Sequence, residues 1–339
     1  MKHWSIGDFL NQREGILLAT IFVLFAVIVL RAPEYLGEQN IDNLLTSWGF
    51  LAILAIGQLA VLLTGGIDLS QASVLAFTGM FLAILSHGMP GLPAIVFVSL
   101  GLLMGAGLGL VNGIAVAFIG IPAIITTLGT MTIIRGLVYV LSNGAWISSH
   151  EMSDKFKSFG AGETVGFPNV FLAGLVCCGL VWLCLQYTRP GRDIYAFGSN
   201  LAAARNAGIN LKRVQVLVFV VSGGVAGLCG YLWTARFAIA YTQAAEGREF
   251  AIIAACVIGG VSIAGGRGTV AGAALGALFI AVLETSLPFL RINAFAQLAV
   301  VGAVILVAIA ANARAERKPG RQILAPRDRA PASTGVPNR

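Results

Sequence analysis

The sequence predicts an all-α, polytopic integral membrane protein of about ten spanning helices, with one further short helix in a loop. Three observations carry this. Hydrophobic residues make up 57% of the 339 residues and charged residues only 11%, against about 25% charged in soluble domains. Apolar runs recur along the chain at close to the length of about 20 residues that a bilayer requires. Glycine is abundant, at 42 residues, as in membrane helices that pack backbone to backbone.

The expected spans cover roughly 16–30, 48–64, 72–86, 92–112, 122–142, 168–187, 213–236, 250–263, 269–285 and 295–312. The first follows polar Asn11-Gln12-Arg13-Glu14 and has no small-residue cleavage site after it, so it reads as a retained anchor rather than a signal peptide. The chain divides into an N-terminal segment 1–15, a transmembrane domain 16–312 and a basic, disordered-looking tail 313–339. Five cysteines at 177, 178, 184, 229 and 256 lie inside apolar spans without metal-ligand spacing and read as small packing residues. His3, His87 and His150 scatter over loops and termini. No metal site and no catalytic constellation is visible.

Charge sets the orientation. With the N-terminus in the cytoplasm, loop 188–212 carries Arg189, Arg192, Arg205 and Lys212 against Asp193 on the inside. The tail adds seven basic residues from Arg314 to Arg339 against Glu316 and Asp328. Outside loops 31–47 and 143–167 are acidic or neutral. This is the positive-inside pattern, and an even span count puts both termini in the cytoplasm. The tail lacks aromatics and follows a span, so anionic lipid is a better partner for it than nucleic acid.

Within loop 188–212, Asn200 is placed to N-cap a short Ala-rich helix through Arg205, and Gly208 to stop it. That helix reads either as an ordinary surface helix or as a docking element for a cytoplasmic partner. Two glycine-broken joints, Thr64-Gly65-Gly66-Ile67-Asp68-Leu69-Ser70 and Ile258-Gly259-Gly260 through Gly265-Gly266-Arg267-Gly268, each sit between apolar runs. They read either as broken helices on a transport pathway or as tight turns between antiparallel helices. On the fifth span Thr126, Thr127 and Thr130 share an arc of about 100°. Their hydroxyls suit either solute contact or back-bonding and helix contact. Arg135 points elsewhere, near the outer end, and Asp68 is positioned to cap the helix that follows it.

Four ordered stretches resemble the permeases of bacterial ABC importers for ribose, xylose, arabinose, rhamnose and autoinducer-2, over about residues 45–312. They are Leu63–Ser70, Gly109–Gly136 with Val111-Asn112-Gly113 and Thr127-Leu128-Gly129-Thr130-Met131, Gly191–Ile209, and Ile253–Gly268. Gln71-Ala72, Ala123 and Glu284-Thr285-Ser286-Leu287 depart from the family pattern. The resemblance implies a permease subunit in the bacterial inner membrane that passes a monosaccharide or similar polyol-like solute delivered by a periplasmic binding protein. It implies a second permease subunit and cytoplasmic ATPase subunits that hold ATP and magnesium, this chain binding no cofactor. The cytoplasmic segment 191–209 would then be the coupling element, with Arg192, Asn200, Ala203, Arg205 and Gly208 at the ATPase. Gly65, Gly66, Gly259 and Gly260, with the three threonines, would border the substrate pathway. The absence of a Gly-x-x-x-x-Gly-Lys-Ser/Thr run agrees with a separate ATPase. An ion-gradient-driven secondary transporter is the alternative. It would need mid-span acids or histidines, which the sequence does not display.

Overall fold

In a computed structural model, residues 13–290 and scattered positions between 293 and 310 are described. The described residues are mostly helical. Among the residues described up to Leu290, twelve α-helices run in the order α1 Arg13–Arg31, α2 Glu38–Leu63, α3 Gln71–Gly88, α4 Ala94–Ile114, α5 Ala123–Ser142, α6 Asp154–Ala161, α7 Asn169–Tyr187, α8 Arg189–Ser199, α9 Leu201–Asn206, α10 Leu211–Phe237, α11 Arg248–Ile258 and α12 Val270–Ser286. The only paired strands among the described residues form a two-residue hairpin, Glu163–Thr164 with Phe167–Pro168.

Among the described residues, eight helices are long and apolar enough to cross a bilayer: α1–α5, α7, α10 and α12. Seven expected spans coincide with helices to within a few residues, and the second starts ten residues earlier than expected, at Glu38. Polar Glu38, Gln39, Asn40 and Asp42 looked like loop, but Asp42 is neutralised by an ion pair with Arg236 on α10. The expected span 250–263 is corrected. It is the 11-residue α11, about 16 Å long and too short to cross. The tenth expected span, 295–312, and both termini lie largely or wholly outside the described residues.

Helices α2 and α10 form the centre. Residues Phe50–Leu63 of α2 and Ser222–Ala235 of α10 are nearly all buried. Around them α1, α4, α5 and α7 show apolar outer faces such as Phe22, Val23 and Leu30 on α1 and Ile125, Ile133 and Val140 on α5. An apolar outer wall around a packed interior is what a lipid-facing bundle requires.

The tightest contact is between α4 and α10. Gly101, Gly105, Gly109 and Gly113 recur every fourth residue on α4, so they share one face. Gly223 and Gly227 of α10 lie against them. A Cβ added at Gly105 would meet the Gly223 carbonyl oxygen and lie 2.8 Å from both Cα and N of Gly227. One added at Gly113 would lie 2.8 Å from Val216 Cα. The two backbones touch, as small-residue faces allow in lipid. By contrast Gly107 faces open space.

Candidate functional site

The site is built at the glycine joints. At the first, α2 ends at Leu63, and Gly65 takes a left-handed φ of +76° that suits glycine. The chain then runs irregularly through residues 66–70 before α3 begins. Helix α3 packs chiefly on α10 and α5, so this joint is a break inside the bundle rather than a tight turn. Irregular backbone at such depth is tolerable only when its polar groups find partners.

Asp68 supplies them. It is 2% exposed, and each hydrogen bond around it has a direction. The backbone N–H and hydroxyl of Ser70 donate to Oδ1 at 2.9 and 2.6 Å. The Ser222 hydroxyl on α10 donates to Oδ2 at 2.6 Å. Each serine is itself fed by an amide: Asn112 Nδ2 on α4 donates to Ser70 Oγ at 2.9 Å, and Gln71 Nε2 to Ser222 Oγ at 2.7 Å. With its amide nitrogen toward the Asp68 carbonyl, Gln58 on α2 donates there at 3.0 Å and accepts from the Asp68 N–H at 3.3 Å. Donors therefore converge on both carboxylate oxygens from two sides, the arrangement that favours an acceptor. Asp68 does not itself cap α3, whose N-cap is Ser70 without a side-chain cap bond; it holds Ser70 instead, and it ties the joint to α10 directly and to α4 through Ser70. The sequence hid this because Ser222 stands 154 positions away.

The threonines of α5 sit against the same joint. Thr127 donates to the Ile67 carbonyl at 3.0 Å and Thr130 to the Thr127 carbonyl at 3.3 Å. Thr126 is buried and its hydroxyl has no partner among the described residues. Gly66 lies over Val61 and Ala123. Arg135 donates to the carbonyls of Thr242 and Ala244 at 3.0 and 2.9 Å, holding the α10–α11 connection. Glu284 pairs with Arg248 at 3.0 Å.

At the second joint α11 and α12 pack antiparallel. A Cβ at Gly259 would strike the Gly272 carbonyl oxygen, and one at Gly276 would lie 2.9 Å from Gly259 N. Gly260 (φ +85°), Gly265 (+91°) and Gly266 (+72°) are left-handed. The Gly266 N–H donates to the Leu63 carbonyl at 2.9 Å. That oxygen is one of the terminal α2 acceptors that the helix itself leaves unpaired. The two joints are thus bonded to each other.

Loop 188–212 contains the expected short helix and one more. Asn200 Oδ1 accepts from Ala203 N at 3.0 Å and caps α9, which ends before Gly208 at φ +79°. Arg192, Asn200, Ala203, Arg205 and Gly208 are all exposed. The additional helix, α8, is capped by Thr188 and buries Gly191, Ile194 and Phe197. From the sequence alone, residues 189–199 read as loop. Tyr195 on α8 donates to the Gly268 carbonyl at 2.8 Å. Burial holds its phenol above the ordinary value, so it remains a donor there.

Among the described residues no three His, Cys, Asp or Glu come together to hold a metal. The cysteines are free, and Cys229 and Cys256 are fully buried.

Residues 40–309 match the family model described as branched-chain amino acid transport system / permease component. Among curated proteins, the ribose import permease protein RbsC of Haemophilus influenzae is 36% identical over 92% of this chain and 96% of its own length. The autoinducer 2 import system permease protein LsrC of Photorhabdus luminescens is 34% identical over 90% and 91%. The L-arabinose ABC transporter permease protein AraH of Azospirillum brasilense is 32% identical over 88% and 87%. No solved structure matches. The broken-helix bundle and these full-length likenesses agree: the chain belongs to the family of membrane-embedded permease components to which these importers' subunits are similar.

Proposed function

We propose that this chain is the membrane-spanning subunit of an ATP-binding-cassette importer that passes a monosaccharide or related polyol-like solute across the bacterial inner membrane. The full-length likeness to permeases of ribose, arabinose and autoinducer-2 import carries this reading. ATP and magnesium would be held by separate cytoplasmic ATPase subunits. A periplasmic binding protein would deliver the solute, and a second permease subunit would complete the pathway. The exposed residues of α9 and its flanks, Arg192, Asn200, Ala203, Arg205 and Gly208, are the proposed docking face. Thr126, Thr127, Thr130 and the joints at Gly65-Gly66 and Gly259-Gly260 are the proposed border of the solute path.

An ion-gradient mechanism would draw on a buried acid, and Asp68 is one. Both its oxygens, however, already accept from serine donors, which favours a fixed structural anion over a proton carrier.

Reconstitution in proteoliposomes with the cognate ATPase and binding protein tests the function. Uptake is expected to require ATP, and Ala203→Glu is expected to abolish it while the protein still inserts. Uptake by this chain alone on a proton or sodium gradient would sink the importer reading. Survival of both docking and uptake in Ala203→Glu would reduce the segment to a plain loop.

Orientation is tested separately. Reporter fusions after Ala204 and Arg317 are expected to report the cytoplasm, and one after Lys155 the periplasm. A cytoplasmic signal at Lys155 would reverse the assignment.

A further inference from the structure

Three segments far apart in sequence meet by backbone alone at the end of α8. A Cβ added at Gly198 would collide with the Leu63 carbonyl oxygen and the Gly266 backbone nitrogen, and would lie 3.0 Å from Gly266 Cα. One added at Gly265 would lie 3.0 Å from Gly65 N and 3.3 Å from Gly198 Cα. One added at Gly266 would lie 2.8 Å from Ser199 Cα and 2.9 Å from the Gly198 carbonyl carbon. Gly198 is therefore in contact with the last turn of α2, where the first joint opens, and with the second joint. The bond from Gly266 N to the Leu63 carbonyl closes the triangle.

The other end of α8 is held as tightly. A Cβ at Gly191 would lie 2.5 Å from Leu185 Cα on α7. Between these clamps Tyr195 bonds the Gly268 carbonyl. A helix fixed this way has little slack. Side chains can yield to a push by changing rotamer, but backbone in contact with backbone must move together or separate, because packed interiors are nearly incompressible.

We propose that Gly198 and Tyr195 are positioning residues through which displacement of α8 reaches both glycine joints at once. This rests on the reading of 191–209 as the element that receives the ATPase stroke. A shift of α8 then changes the contacts of both breaks together, which supplies the differential interaction that a two-state switch needs. The relaying residues, Tyr195 and Gly198, are distinct from the proposed docking residues Arg192, Asn200, Ala203, Arg205 and Gly208.

The test uses the complete complex of permease, ATPase and binding protein in proteoliposomes, with ATP hydrolysis and solute uptake measured in one preparation. In Gly198→Ala the added carbon must push the three segments apart, so a lower yield is expected, but in the protein that inserts ATPase docking and basal hydrolysis are expected to persist. Stimulation of hydrolysis by the binding protein, and uptake per ATP, are expected to fall at least about tenfold, within the usual range for a lost coupling between sites. In Tyr195→Phe, which removes one hydrogen bond and leaves the ring, uptake per ATP is expected to fall less, with assembly intact.

Wild-type uptake per ATP in Gly198→Ala overturns the relay. Loss of ATPase docking in that variant also overturns it, since the glycine would then serve docking. Should Gly198→Ala fail to fold and insert at all, Tyr195→Phe decides: a reduced uptake per ATP supports the relay, and an unchanged ratio overturns it. A wild-type complex with no ATP-dependent uptake would instead refute the importer reading, whatever the variants do.

Discussion

Gly105→Leu is expected to leave almost no correctly folded protein in the membrane, whereas Gly107→Leu, two residues away on the same helix, should yield as much as wild type. At Gly105 even the first added carbon meets backbone atoms of Gly223 and Gly227. Those atoms cannot rotate aside, so α4 and α10 must separate along their whole contact. Overpacking a core ordinarily costs about 1–3 kcal/mol, and a clash against backbone on the central helix lies at or above the top of that range. At Gly107 nothing lies within 4 Å, and the new side chain joins the apolar outer wall. Yield of monodisperse protein after detergent extraction measures both. Equal yields would mean that the glycine face is not what joins the two helices.

Asp68→Ala is the second large effect. It removes the acceptor for the Ser70 N–H, the Ser70 hydroxyl and the Ser222 hydroxyl. Each buried donor left unpaired costs about 1–3 kcal/mol. A thermal midpoint lowered by on the order of 10 °C is therefore expected in detergent, together with loss of uptake. Asp68→Asn keeps an oxygen for the two Ser70 donors and disturbs only the Ser222 side, so it should lie between alanine and wild type. If asparagine and alanine were equally harmful, the negative charge rather than the hydrogen-bond count would be what the joint requires. If alanine were harmless, the convergence of donors on Asp68 would have no energetic weight.

The sequence was most informative where one physical rule acts alone. Spans such as 72–86, 122–142 and 168–187 coincide with helices because lipid demands long apolar runs, and composition reports that directly. The cap at Asn200 and the stop at Gly208 were legible because they act over a few residues. Reading 250–263 as a span failed because apolar character cannot tell a crossing helix from a short one whose end is fixed by contact with Gly272. The Asp68 cluster was only half visible. Its local half, toward Ser70, follows from spacing. Its distant half, at Asn112 and Ser222, depends on the fold placing α4 and α10 beside the joint. The glycine ladder of α4 was present in the sequence as a fourfold repeat at intervals of four, but without knowledge of its partner it was indistinguishable from a glycine-rich composition.

The α4–α10 contact carries a thermal consequence. Residues that meet through glycine have no rotamers to freeze when they associate, so that penalty is absent. In lipid, where hydrophobic attraction between helices is missing, close backbone packing without this entropic penalty makes for a favourable association. The α4–α10 pair should therefore form early during assembly and weaken little on warming. Contacts that depend on ordered side chains at the exposed surface, such as that of Trp182 with Tyr187 on α7, should loosen first, so that heating peels the molecule from its rim toward an intact central pair.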